Sequence, residues 1–350
     1  MNKIKIAGKA IGFGCPPYLI AEISGNHNGD IARALSLVEA ASRAGADAVK
    51  LQTYTADTIT IKHSSPDFSI DAGLWAGKTL YELYDEAHTP WEWHPILFRR
   101  AAELGIAIFS SPFDDSSVDF LESLKAPAYK IASFELLDLP LVKRVAKTRK
   151  PLIMSSGMAS EQEIGEALEA ARSAGANEIV LLHCVSGYPT PTSEINLKMI
   201  RTLAHRFDVP VGLSDHTLGT VASTAAVALG ACVIEKHFTL AREDGGPDST
   251  FSLEPDEFAE LVNNSRIAWD ALGQSDFQRS PSEILNRKFR RSLYIVEDIE
   301  FGQIFTEKNL RSIRPGFGMS PKYLFDVLGK KAAESIKRGT ALRPDHILND

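Results

Sequence analysis

Gly212-Leu213-Ser214-Asp215-His216-Thr217 and Val233-Ile234-Glu235-Lys236-His237-Phe238 are two short runs that begin apolar and carry a histidine next to their last residue. Each has the length of a buried strand. The Ala-rich stretch between them, Leu218 to Cys232, is long enough for one crossover helix. A strand, a helix and a parallel strand would bring both imidazoles to the same end of one sheet. Two neutral imidazoles with open positions beside them suit a catalytic divalent metal. One reading of this stretch therefore proposes a fold and a site together.

The pattern extends outward from there. Strand-like runs occur at Tyr18–Ser24, Ala48–Gln52, Ala107–Ser111, Tyr129–Ser133, Pro151–Ser156, Glu178–Cys184, Pro210–Asp215 and Val233–Phe238. A helix-like segment follows each, such as Ile31–Ala44, Ser160–Ala174 and Pro255–Leu272. Gly45, Gly175 and Gly230 stand where a left-handed helix C-cap is expected. Eight βα units over about 250 residues read as a (β/α)8, or TIM, barrel. The competing architecture is a doubly wound open sheet. No GxGxxG follows the first strand, which counts against it.

The segment Thr53–Pro90 is an insertion after the second strand and holds Trp75, Tyr81 and Tyr84. Loops of this length inside compact domains are often substrate walls or lids. The expected division of the chain is a barrel over 1–272, a polar and basic linker over 273–291, and a small β-rich domain over 292–350. A domain of roughly 60 residues is marginal alone and leans on a larger partner.

Composition narrows the function. The chain has 350 residues, a formal net charge of -7 and 44% hydrophobic residues, which argues against a nucleic-acid or membrane-surface protein. Cys15, Cys184 and Cys232 have no CxxC spacing, so a disulfide framework or zinc site is not expected and a reducing cytoplasm fits. Met1 to Ala10 alternates Lys and Ile, so no signal peptide is read. No apolar run approaches the ~20 residues of a membrane span.

Functional groups of such barrels lie at the C-terminal strand ends, and here nearly every strand ends in polar residues. In chain order these are Glu22, Ser24, Asn26 and His27; Lys50, Gln52 and Tyr54; Ser110 and Ser111; Lys130 and Ser133; Ser155 and Ser156; His183, Ser186 and Tyr188; Ser214 and His216; Glu235 and His237. Strand alternation puts Lys50 with Gln52, Ser214 with His216, and Glu235 with His237 on shared faces. Two lysines among hydroxyls make a phosphate cradle. Taken singly, any one Lys or Ser is more often structural, and Cys184 reads as a core residue. His94 reads as packing or capping a helix. Repetition on nearly every strand is what argues for a site.

The segments IAEISGNHNGD, GADAVKLQTYTAD, FSSPFD, YKIASFE, SSGMAS, LLHCVSGYPTP, GLSDHTLG, VIEKHFTL, DSTFSLEP and RPGFGMSP carry a resemblance. Over essentially its whole length the chain resembles the sialic acid synthases. The stretches Gly73–His94 and EDGGPDSTFSLEP are similar to the branch that uses a bis-acetamido trideoxyhexose. Ser249 and Phe317 depart from the N-acetylneuraminate branch, and the N-acetylneuraminate and legionaminic acid synthases remain the alternatives.

This resemblance implies a (β/α)8 barrel followed by an antifreeze-like SAF domain. It also implies a domain-swapped homodimer in which the SAF domain of one subunit covers the barrel mouth of the other. The implied reaction condenses phosphoenolpyruvate with an N-acetylated amino sugar, with Mn2+ or Mg2+ and release of phosphate, toward bacterial surface glycans. The resemblance assigns the metal to His216 and His237. Phosphoenolpyruvate falls to Lys50, Lys130, Ser133, Ser155, Ser186 and Ser214. The sugar falls to Gln52, Tyr188, Asp248 and the partner's Arg314, and proton transfer to Glu22 or Glu235. Ser186 stands where the neuraminate branch has Asn. Two rival readings are a non-catalytic sugar- or ice-binding protein and an aldolase using pyruvate.

Overall fold

The computed structural model describes residues 3–348 and divides into two compact units, Met1–Gly273 and Gln274–Asp350. The first opens with a small antiparallel hairpin, β1 (Ile4–Ile6) and β2 (Lys9–Ile11). Eight parallel strands then close into a barrel: β3 (Tyr18–Glu22), β4 (Ala48–Thr53), β5 (Ala107–Pro112), β6 (Tyr129–Ile131), β7 (Leu152–Ser155), β8 (Ile179–Cys184), β9 (Val211–Asp215) and β10 (Val233–His237). The ring closes where β10 pairs with β3, Val233 opposite Tyr18 and His237 opposite Glu22. All eight strands read from the sequence are present, with ends shifted by one or two residues.

Two cores follow from strand alternation. Outward-facing Leu19, Val49, Leu51, Leu152, Leu181 and Leu213 pack under the helices with Leu37, Val38, Val142 and Leu261. Inward-facing Tyr18, Ile20, Ala48, Phe109, Ile153, Val180, Leu182 and Val233 fill the lower barrel together with Ile4, Ile6 and Ile11. The hairpin therefore plugs the N-terminal end. Its strands are three residues each and carry Lys5 and Lys9, too short and too charged to be read as strands. Gly212 is required by this interior: a Cβ there would approach Leu182 Cδ2 to 2.6 Å and Val233 Cβ to 2.8 Å.

Helix ends obey local chemistry. Asp30 accepts from Ala32 N at the start of helix Ile31–Arg43, and Ser160 and Glu163 form a capping box ahead of Glu161–Ser173. Gly45, Gly175 and Gly230 all have positive φ, as a left-handed cap requires. The insertion Thr53–Pro90 carries a helix of its own, Leu80–Ala87, capped by Thr79 and Glu82. Among the described residues no helix is long and apolar enough to cross a membrane.

The second unit pairs β11 (Ser292–Ile295) with β12 (Leu310–Ile313) antiparallel, around a core of Leu293, Ile295, Phe305, Leu310, Val327 and Leu342. The stretch read as a linker contains a short helix, Pro281–Asn286, behind a Ser280–Glu283 capping box.

Candidate functional site

Inward alternation at the upper ends of the strands brings Glu22, Lys50, Gln52, Ser111, Lys130, Ser155, Cys184, Ser214, His216, Glu235 and His237 to one mouth. The intervening residues point outward and do structural work. Lys236 Nζ lies 2.9 Å from Asp215 Oδ2 in a fully buried pair, and Asp215 also receives Ser223 Oγ at 2.6 Å. Ser110 bonds Thr53 Oγ1 at 2.6 Å, and His183 Nε2 donates to the Ile195 carbonyl at 2.6 Å. His94 Nε2 reaches Thr53 Oγ1 at 2.8 Å as it opens a helix, as a packing residue would.

A buried charge network lines the inner wall. Lys50 Nζ is 2.8 Å from Glu22 Oε2, off the hydrogen-bonding direction, and 3.5 Å from Glu235 Oε1. Lys130 Nζ is 3.6 Å from the same Glu235 oxygen, and Ser214 Oγ donates to it at 3.3 Å. Gln52 Nε2 donates to Glu22 Oε1 at 2.9 Å. Burial pushes the Glu22 carboxyl above its ordinary range, with Lys50 opposing and Glu235 adding to the rise. At Glu235 burial works in the same sense, but Lys130 and Lys50 outweigh it and hold the carboxyl low. Two carboxyls in one site are thereby driven apart.

Next to this network is a set of unanswered polar atoms. Ser155 Oγ, Ser186 Oγ and Glu235 Oε2 are buried without a hydrogen-bond partner. Ser133 Oγ accepts from Gly157 N at 3.2 Å. A Cβ on Gly157 would fall on Ser186 Oγ and within 2.6 Å of Ser133 Oγ, so the glycine keeps both hydroxyls in place. Buried polar atoms left unpaired are costly, and the two hydroxyls, as donors, call for an acceptor on a ligand. Hydroxyls beside Lys50 and Lys130 fit the oxygens of an anion.

The imidazoles of His216 and His237 stand 5.4 Å apart, centroid to centroid. His216 Nδ1–H donates to the Val185 carbonyl at 3.0 Å, which leaves its Nε2 as the lone-pair nitrogen of the neutral ring. His237 turns its Nδ1 to Ser24 Oγ at 3.4 Å and to Asp248 Oδ2 at 3.7 Å. Anchoring one ring nitrogen on the protein is the usual support of a metal-ligating histidine. Burial keeps His237 well below its ordinary range and neutral, and the neighbouring His216, Lys50 and Lys130 act in the same sense. For His216 burial acts downward, but Cys184, the Val185 carbonyl and Glu235 outweigh it and raise the value. Among the described residues no group of three His, Cys, Asp or Glu side chains is placed to hold a metal. The pair fits a catalytic cation that keeps positions for substrate oxygen.

Cys184 corrects the sequence reading. It is buried, as a core residue is, but on the inward phase of β8, where its Sγ faces His216 Nδ1 at 3.9 Å. Glu135 was not singled out from sequence, because it lies past the end of β6 in a turn. Its Oε2 is unpartnered, and burial pushes its carboxyl up to about 7, with Lys130 and Lys50 opposing. Its sequence signal is its place in the Tyr129-Lys130-Ile131-Ala132-Ser133-Phe134-Glu135 run, two residues beyond Ser133. Tyr188 packs on His216 at 4.5 Å and on Phe251 at 5.5 Å. Asp248 is in the same mouth, and burial raises its carboxyl against the Ser24 hydroxyl and the His216 charge. Arg314 lies in the second unit and is exposed.

A closed parallel barrel whose mouth joins two histidines, two buried lysines and unpaired hydroxyls defines the class, a (β/α)8-barrel enzyme with its polar groups at the C-terminal strand ends. The chain belongs to the NeuB family, whose model matches residues 37–277, and carries a SAF domain over 290–348. It is 47% identical to a pseudaminic acid synthase of Campylobacter jejuni subsp. jejuni serotype O:2, across 93% of this chain and 95% of that protein. A pseudaminic acid synthase of Helicobacter pylori is 42% identical, across 95% and 98%. The crystal structure of the Bacillus subtilis spore coat polysaccharide biosynthesis protein SpsE superposes with a TM-score of 0.68 at 34% identity, covering 100% of both chains.

Proposed function

We propose that this chain is a pseudaminic acid synthase, condensing phosphoenolpyruvate with 2,4-diacetamido-2,4,6-trideoxy-L-altrose and releasing phosphate. The observation that carries the reading is the unpaired set of Ser155 Oγ, Ser186 Oγ and Glu235 Oε2 beside Lys50, Lys130 and the imidazole pair.

Lys50 and Lys130 supply charge, and Ser133, Ser155, Ser186 and Ser214 supply hydroxyls, for the phosphate and carboxylate of phosphoenolpyruvate. Gln52, Tyr188 and Asp248 orient the open-chain sugar so that its aldehyde carbon faces C3 of phosphoenolpyruvate. His216 and His237 would hold a divalent cation, Mn2+ or Mg2+, whose chemistry there would be Lewis-acid polarisation of a carbonyl oxygen. The C2–C3 π electrons form the new carbon–carbon bond, and the former aldehyde oxygen takes a proton. Water adds at C2 and loses a proton. The C2–O bond to phosphate then breaks, leaving the ketone and inorganic phosphate. Glu22, whose carboxyl burial pushes up against the pull of Lys50, is the carboxyl assigned to proton delivery at the aldehyde oxygen, and Glu235, held low by the lysines, is assigned to take the proton from water.

A homodimer is part of the proposal, with the partner's Arg314 reaching the sugar. Exposed Phe134, Met158 and Leu218, on loops that follow β6, β7 and β9, support a second copy covering this face. The free, buried cysteines fit a reducing cytoplasm.

The test is phosphate release from phosphoenolpyruvate with Mn2+, run in parallel with the trideoxy sugar and with N-acetylmannosamine. Release with the first sugar alone supports the reading. Release with N-acetylmannosamine in preference keeps the chemistry and overturns the substrate. No release with any sugar overturns the function.

A further inference from the structure

The insertion after β4 meets the loop after β10 through a side-chain hydrogen bond. Trp75 Nε1–H donates to the Pro247 carbonyl at 2.8 Å. Its neighbours Asp71 to Leu74, Ala76 and Gly77 are all exposed, while the indole is turned partly inward. It packs on Tyr188 at 5.5 Å, Tyr188 on Phe251 at 5.5 Å, and Phe251 on His237 at 4.8 Å. Trp75 thus begins an aromatic chain that wraps one side of the imidazole pair.

The acceptor carbonyl is one residue before Asp248, whose carboxylate lies 3.7 Å from His237. The loop is gripped from its other side by Asn28 Nδ2, which donates to the Asp244 and Gly245 carbonyls at 3.3 Å and 3.2 Å. Gly246, at φ 122°, could not carry a side chain there, because its Cβ would strike Asn28 Oδ1. The backbone leading into Asp248 is thereby held at two points, and Trp75 holds the one next to it.

We propose that Trp75 determines sugar specificity: its indole forms the outer wall of the sugar subsite and its Nε1–H sets the position of Asp248. This rests on the synthase reading above. An indole and a phenol ring offer apolar surface to a methyl-bearing substituent, a 6-deoxy carbon or an acetamido methyl. A hydroxymethyl group on that wall would surrender water without a partner, which penalises N-acetylmannosamine.

The test is steady-state kinetics of the full-length protein with Mn2+, comparing wild type, W75A and W75F. The substrates are phosphoenolpyruvate, the trideoxy sugar and N-acetylmannosamine. W75A should raise the KM for the trideoxy sugar about 10- to 100-fold, the scale of a lost aromatic face and hydrogen bond. The KM for phosphoenolpyruvate and the thermal midpoint should stay unchanged, and the preference over N-acetylmannosamine should narrow. W75F keeps the wall and loses the donor, so it should recover most of the sugar KM while kcat falls. An active wild type with an unaltered sugar KM in both variants overturns this inference alone. So does an equal rise in both KM values with a lowered midpoint. A wild type that uses neither sugar overturns the synthase reading, and this inference with it.

Discussion

Lys50 Nζ and Glu22 Oε2 face each other at 2.8 Å with both side chains sealed inside the barrel. Removing one partner of such a pair strands the other as a buried charge or forces it to bind a proton, at a cost of ~3–5 kcal/mol. K50M should therefore lower barrel stability by about that amount in urea unfolding, and K50M/E22Q should recover most of it. A K50M protein as stable as wild type would mean that the carboxyl is not held by the lysine.

Removal of either imidazole should abolish turnover and spare the fold. H216A and H237A are expected to lose about 10³-fold or more in phosphate release, the scale of several kcal/mol of charge stabilisation. Circular dichroism should match wild type, since neither ring belongs to the packed core of the lower barrel. Dialysis of wild type against EDTA should give the same loss, reversed by Mn2+ or Mg2+. Undiminished activity after exhaustive chelation would count against the assignment.

Glu135 provides a pH handle. Its carboxyl, pushed up to about 7 by burial, keeps its proton in the folded state where the unfolded chain has already lost it. Its contribution to stability is thus complete below the unfolded value of about 4.3 and is lost as pH rises through about 7. The stability difference between wild type and E135Q should shift against wild type across that window. Thermal midpoints from pH 5 to 8.5 would read it, and a constant difference would refute the burial of this group.

Gly157 has no special backbone angle; its constraint is space. G157A places a methyl group where Ser186 Oγ and Ser133 Oγ now stand. Displacing two donors to an anion should raise the KM for phosphoenolpyruvate by about 10- to 100-fold, at ~1.5–3 kcal/mol for bonds to a charged group. The sugar KM should change little. A shared rise in both would show that the two subsites are not separate.

Much of this arrangement was legible before any coordinates, because a parallel barrel writes itself as short apolar runs that end in polar residues. Lys50, Lys130, Ser155, Ser214, His216, Glu235 and His237 all fall on the inward phase of their strands, and period-two alternation alone finds them. The outward phase is equally readable in principle, and it takes His183 away from the mouth to the Ile195 carbonyl. Glu135 and Trp75 lie outside any period. Trp75 and Pro247 are 172 positions apart in the chain, and their hydrogen bond depends on two loops meeting across the mouth. No local pattern encodes that.

The hairpin packs Ile4, Ile6 and Ile11 into the lower barrel, which closes the interior at its N-terminal end. Lys50 and Lys130 lie within its rim strands, while Tyr188, Asp248 and Trp75 stand on loops beyond the strand ends. Whatever occupies the lower position must arrive before the upper one is filled and can depart only after it empties. For the proposed reaction this makes the order of arrival compulsory, phosphoenolpyruvate ahead of sugar. An excess of sugar would then slow turnover by obstructing the entrance.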